Sequence, residues 1–174
     1  MAIKINGNEV KYKILHNGGK LKIAYHRYGE TVLWRAEKYI FQNGVLESGV
    51  TVNNLSIGTT LYKEIEATNT DDEEKCTCEI YNVDLTDYSK MDIEVNYRAY
   101  ANYGDAHITC GIDEYSKNRL PDQAFDEDKT ITIDISSYTG KHFIGFYLYA
   151  RNESSEPSWK AWAYLNIKSI RLYD

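Results

Sequence analysis

Trp159 and Trp162 flank Lys160 and Ala161 directly after a proline-containing loop, and Tyr100, Asn102, Tyr103 and Tyr115 gather around what read as loop tips. Exposed aromatic faces beside amides and carboxylates are suited to sugar recognition. The rings stack on apolar C–H faces while the polar neighbours hydrogen-bond hydroxyls. The competing reading makes the same aromatics the core and rim of a folded sheet. In a regular strand residues 159 and 162 point to opposite faces, so at most one of these tryptophans is core if the strand begins by 159.

Other chemistry-bearing residues form weaker constellations. Covalent catalysis needs a nucleophile, a base and an orienting group in one pocket. His16 falls in a turn, His26 beside Arg27, His107 at a strand start and His142 beside Lys141, and none sits in a Gly-x-Ser-x-Gly or His-Glu-x-x-His setting. Paired carboxylates serve glycoside hydrolysis, but Asp71-Asp72-Glu73-Glu74 and Asp126-Glu127-Asp128 read as solvated loops. Cys76-x-Cys78 puts two thiols on one strand face, where Cys110 or a histidine could complete a soft-metal site. The simpler reading makes Cys76, Cys78 and Ile80 one inward face. Three cysteines cannot all pair within one chain, so no structural disulfide is expected. The expectation is a non-enzymatic protein.

The elements that would position these residues are strands. Sixteen tyrosines and two prolines among 174 residues favour half-buried sheets. Val10, Tyr12 and Ile14 alternate with charges, Gly18-Gly19 turns the chain, and Leu21, Ile23 and Tyr25 answer, followed by Thr31 to Arg35. Beyond Asn43-Gly44 the segments lengthen, and strands are expected at 59–67, 76–83, 91–101, 107–113, 130–135, 142–151 and 161–173. Seven strands at this spacing imply an antiparallel sandwich. The predicted division is a β appendage over 1–47 for attachment or oligomerisation and a sandwich over 48–174. Asp84-Leu85-Thr86-Asp87-Tyr88 and Asp134-Ile135-Ser136-Ser137-Tyr138 echo each other before two strands. In each, Thr or Ser could cap a helical turn and Tyr pack back over the sandwich end, implying two similar crossings between sheets. Little other helix is expected.

Charge narrows the partners. Residues 1–47 carry eight Lys and Arg against four Glu, while the rest carries twelve basic and twenty-two acidic residues, so nucleic acid is repelled by most of the surface. No long apolar run and no signal-peptide pattern at Met1 to Ile5 occurs, predicting a soluble chain without membrane insertion.

Two resemblances add to this. Ile133 to Lys141, the apolar strand after it and Ala163 to Leu172 resemble the last strands of jelly-roll carbohydrate-binding modules and related adhesins, over roughly residues 84–174. That likeness implies an all-β, jelly-roll-like sandwich and a structural calcium ion, for which Asp174 or the Asp71 to Glu74 loop could offer oxygen ligands, although no ordered Asp-x-Asp-x-Asp series is present. The segments Ile3-Lys4-Ile5-Asn6-Gly7, the glycine hairpin and Phe41-Gln42-Asn43-Gly44 are similar to short β-repeats of tail and fibre proteins of phages of low-GC Gram-positive bacteria. This implies a virion component, assembled in the host cytoplasm as a homo-oligomer or with other virion proteins. In that expectation the sandwich contacts host glycan by multivalent binding without covalent chemistry. A stand-alone carbohydrate-binding module or lectin-like adhesin is the alternative, and a glycan hydrolase the second.

Overall fold

The computed structural model describes residues 37–120, 128–156 and 158–174, and the backbone alone of 3–5, 8–17, 20–28 and 31–35. The expected turn at residues 18–19, and residues 126 and 127 of the expected Asp126-Glu127-Asp128 loop, lie outside the described residues.

Strands β1 (Ile3–Ile5), β2 (Asn8–Asn17), β3 (Lys20–Tyr28) and β4 (Thr31–Arg35) form an antiparallel meander in that order. The chain continues through β5 (Lys38–Gln42), β6 (Val45–Leu46), β7 (Thr51–Asn53), β8 (Ser56–Ile57), β9 (Leu61–Ala67) and β10 (Asp72–Asp84). It ends with β11 (Lys90–Ala101), β12 (Gly104–Ile112), β13 (Asn118–Arg119), β14 (Asp128–Asp134), β15 (Lys141–Asn152) and β16 (Ala161–Tyr173). One sheet runs β13-β12-β15-β10-β7. The other runs β14-β11-β16-β5-β6, with β9 also paired to β16 and β8 to β9. All pairings are antiparallel, and the fold is the expected all-β, jelly-roll-like sandwich behind a small N-terminal sheet. No helix occurs among the described residues, so none is long and apolar enough to cross a membrane.

Alternation builds the core. Met91, Ile93, Val95 and Tyr97 of β11 and Ile144, Phe146, Leu148 and Ala150 of β15 point inward and are buried in one cluster between the sheets. In β16 the inward set is Ala161, Ala163, Leu165 and Ile167, then Ile170 and Leu172. The parity changes where the β11 register jumps from Ser169 to Ile167, because one extra residue in a strand reverses which side faces the core.

The echoed segments are both sheet crossings, in opposite senses: one carries β10 to β11, the other β14 to β15. Leu85 and Ile135 are fully buried plugs, and Tyr88 and Tyr138 pack against the core. The cap differs from the expected one. The Asp at each strand end accepts from the backbone two residues on, Asp84 Oδ1 from Thr86 N at 3.0 Å and Asp134 Oδ1 from Ser136 N at 2.9 Å. Each corner is thus an Asx turn rather than a helical turn. Thr86 Oγ1 instead accepts from Gly140 N at 2.9 Å, and Leu85 N donates to Gly140 O at 2.9 Å, which ties the corners together.

One further expectation needs correction. Asp72, Glu73 and Glu74 are strand rather than loop, paired with Asn152, Arg151 and Ala150, where Arg151 offsets the acidic edge. Gln42 and Phe41 pair with Ser169 and Ile170, so β5 and β6 belong to the sandwich.

Candidate functional site

Outward residues of β11 and β16 form an aromatic row. Tyr100 pairs with Trp162 and Arg98 with Tyr164 across the strands. The Tyr100 and Trp162 rings are 6.0 Å apart, and Trp162 and Tyr164 lie 5.8 Å apart and nearly parallel at 7°. The Arg98 guanidinium sits 5.0 Å from the Trp162 ring centre and 5.4 Å from that of Tyr100, a cation–π clamp that fixes both. Further along the row, Asn166 has a buried side-chain oxygen that no described protein donor reaches.

At the sandwich end this row continues into two adjoining loops. Asn102, just past β11, donates from Nδ2 to Tyr100 OH at 3.1 Å, and its Oδ1 accepts from Lys160 N at 3.2 Å. Its backbone N–H reaches Lys160 O at 3.1 Å. Fully buried Asn152 donates to Trp159 O at 2.8 Å and accepts from Ser154 N at 3.1 Å. Ser154 Oγ then accepts from Glu156 N at 3.0 Å, and Trp159 N donates to Glu156 O at 3.0 Å. Glu153 N donates to Tyr103 O at 3.0 Å, binding the loops to each other. On this frame Tyr103 and Trp159 present their rings 6.4 Å apart, 57% and 40% exposed. Lys160 pairs with Glu66 of β9 at 2.5 Å.

Five of the six residues singled out as sugar-binding, Trp159, Trp162, Tyr100, Asn102 and Tyr103, therefore adjoin one another. Strand β16 begins at Ala161, so Trp159 lies in the preceding loop and Trp162 faces outward, and neither is core. The row members that sequence reasoning passed over, Arg98 and Tyr164, were marked by their two-residue spacing from Tyr100 and Trp162. Buried Asn152 carried no such signal.

No protein-family model matches the chain, and no curated protein matches it. Among solved structures, it aligns with the CBM36-1 domain of a multidomain xylanase from the hindgut metagenome of Trinervitermes trinervoides. The alignment covers 72% of this chain and 98% of that domain, at 14% identity and a TM-score of 0.30. So loose a superposition bears on neither ligand nor site, which rest on the geometry above.

Tyr115 departs from the group. It lies over the other sheet and donates from its hydroxyl to Glu79 Oε1 at 2.7 Å, while Asn53 Nδ2 donates to Oε2 at 2.8 Å. Glu79 is only 4% exposed, and these neutral donors satisfy a carboxylate that would be costly to bury alone. The bond to Glu79, then burial, push the Tyr115 phenol up to about 12. Tyr115 is a clasp holding its loop onto the sheet, not an open platform.

Among the described residues no three His, Cys, Asp or Glu side chains gather as a metal-holding group, so neither Asp174 nor the Asp71 to Glu74 segment is assembled into one. The Cys76 and Cys78 sulfurs are 3.9 Å apart, and burial foremost pushes the Cys78 thiol up. Burial lifts Cys110 to about 11, which keeps it a neutral thiol near neutral pH.

His142 has acceptors on both ring nitrogens, Asp113 Oδ2 at 2.6 Å from Nδ1 and Thr139 O at 3.0 Å from Nε2. Only the imidazolium can donate to both, and the Asp113 bond, opposed by partial burial, raises its pKa above 6.5. The folded value exceeds the unfolded one, so its stabilisation is complete below about pH 6.5 and is lost as pH rises through the folded value. Thermal melts should decline across that window, and His142→Gln should remove this part of the slope.

Proposed function

We propose that this chain is a non-catalytic glycan-binding domain whose primary site is the aromatic end formed by Tyr103, Trp159, Asn102, Tyr100 and Trp162. The observation that carries this reading is the exposed Tyr103–Trp159 pair, held in place from beneath by Asn152 and from the side by the Tyr103–Glu153 backbone bond. Rings fixed before binding lose little entropy when a sugar stacks on them. The Asn102 amide, the Lys160–Glu66 pair and the Tyr100 hydroxyl line the edges with groups that exchange hydrogen bonds with hydroxyls. The net charge of −6 disfavours nucleic acid as an alternative stacking partner. The virion role rests on the N-terminal motifs alone, so the proposal does not include it.

The test is a glycan array followed by titration calorimetry on the full chain. Trp159→Ala and Tyr103→Ala should each weaken binding about 30-fold, the effect of losing a contact worth about 2 kcal/mol, with the melting temperature little changed. Failure to bind any glycan, with the fold intact, would leave these aromatics as a sandwich rim and overturn the reading.

A further inference from the structure

We infer that the opposite outer face of the sandwich carries a second sugar-binding shelf, so that one chain engages two strands of an uncharged polysaccharide at once. This rests on the glycan reading of the first site but on a different set of residues.

Outward positions of β15 and β12 place Tyr147, Tyr149 and His107 on the face away from the core. His107 and Tyr149 are cross-strand partners with rings 4.9 Å apart at 28°. Tyr147 continues the row 6.4 Å from Tyr149 at 26°. On the other side of Tyr149, its cross-strand partner Lys75 holds an ammonium 5.8 Å from the ring centre. All three rings are half-buried, leaving part of each open to solvent. The clasped loop bounds one end of this floor, since Thr109 Oγ1 donates to Tyr115 O at 2.5 Å and Tyr115 is anchored on Glu79.

Charge selects the ligand class. The charged groups of the rim are matched with opposite partners. Glu73 pairs with Lys75 and accepts from Tyr149 OH at 2.9 Å. Asp105 takes His107 at 3.0 Å and Arg119 at 3.8 Å, and Arg151 pairs with Glu153 at 3.2 Å. Such a rim offers no net charge to a carboxylated or sulfated chain. What remains is a run of ring faces edged by bonded polar groups, the complement of a neutral polyhydroxylated ring. The shelf lies on the outer face of the sheet that holds β12 and β15, whereas Tyr100 and Trp162 of the first site lie on that of β11 and β16, and Tyr103 and Trp159 on the loops that join the two sheets at one end. A long polysaccharide meeting both on different molecules would be cross-bridged, with the avidity that multivalency brings.

The experiment is titration of the full chain with neutral hexasaccharides of β-glucan, mannan and xylan backbones, reading stoichiometry. Two sites per chain are expected. Tyr149→Ala should reduce this to one, and Trp159→Ala should remove the other while the shelf keeps its affinity. Because Tyr149 also packs on its neighbours, ring-proton shifts of Tyr147 and Tyr149 in the unmodified protein provide an independent readout and should move on saturation. One site per chain that is lost with Trp159→Ala, with unmoved Tyr147 and Tyr149 signals, overturns the shelf and leaves the first site standing. Binding by none of the three hexasaccharides overturns the shelf, whereas the glycan reading itself falls only if the array is also blank.

Discussion

Gly104→Ala is expected to destabilise the protein by about 3–5 kcal/mol, from backbone strain and overpacking together, and to weaken glycan binding at the aromatic end. Gly104 opens β12 with φ at +124°, where side-chain-bearing residues are strained. A Cβ there would stand 2.1 Å from the Arg151 carbonyl oxygen and 3.2 Å from Glu153 N. Those atoms are backbone, so relief requires the β12–β15 pairing itself to open at Gly104–Asn152. Asn152 is the residue that holds Trp159, and Glu153 N is the donor to Tyr103 O, so the same displacement loosens both exposed rings. Urea unfolding should show a lowered midpoint at unchanged slope. Gly49→Ala is the control, because Gly49 also has positive φ, +86°, but a Cβ there would meet nothing within 4 Å. It should cost only the conformational part, about 1 kcal/mol, and leave binding unchanged.

Legibility in the sequence followed how local each signal is. The expected strand 161–173 matches β16 residue for residue, and 91–101 and 142–151 fall within one residue of β11 and β15 at each end, because long alternating runs carry their own register. Strands β7, β8 and β13 have two or three residues and exist only as partners of longer strands, so no periodicity could reveal them. The acidic run at Asp72 to Glu74 reads as loop for the same reason: its neighbour Arg151 is distant in sequence. The paired corners were legible because both use an Asp at the strand end and a buried aliphatic residue immediately after it. At the site, residue type identified Trp159, Tyr103 and Asn102. Their meeting depends on Ala101 facing Ala161 across β11 and β16, a non-local pairing that no short motif announces. Tyr115 reads from sequence as a platform because its partner Glu79 lies 36 positions away, on an outward strand position covered by the loop that Tyr115 itself anchors.

Phe41→Ala should cost about 3–5 kcal/mol, the usual loss for emptying a fully buried phenylalanine site. The N-terminal part of the chain reads from sequence as one appendage through residue 47, and on that division Phe41 would contribute nothing to the sandwich. Strand pairing places it instead opposite Ile170, fully buried with Ile40 in the same core as Phe146 and Leu165. Val45→Ala, at a β6 position 68% exposed, should stay within about 0.5 kcal/mol. Urea denaturation of the two variants separates the alternatives: comparable midpoints would return β5 to an appendage, while a large drop confined to Phe41→Ala makes it a strand of the sandwich. Location also decides the effect on binding. Strand β5 pairs with β16 at residues 169–172, whereas Trp162 and Tyr164 lie in the half of β16 that pairs with β9. The Phe41 variant should therefore bind glycan with unchanged affinity wherever it remains folded, and Trp159→Ala should show the reverse, a normal midpoint with binding at the aromatic end weakened about 30-fold. Opposite responses of these two variants would separate the residues that hold the sandwich together from those it presents.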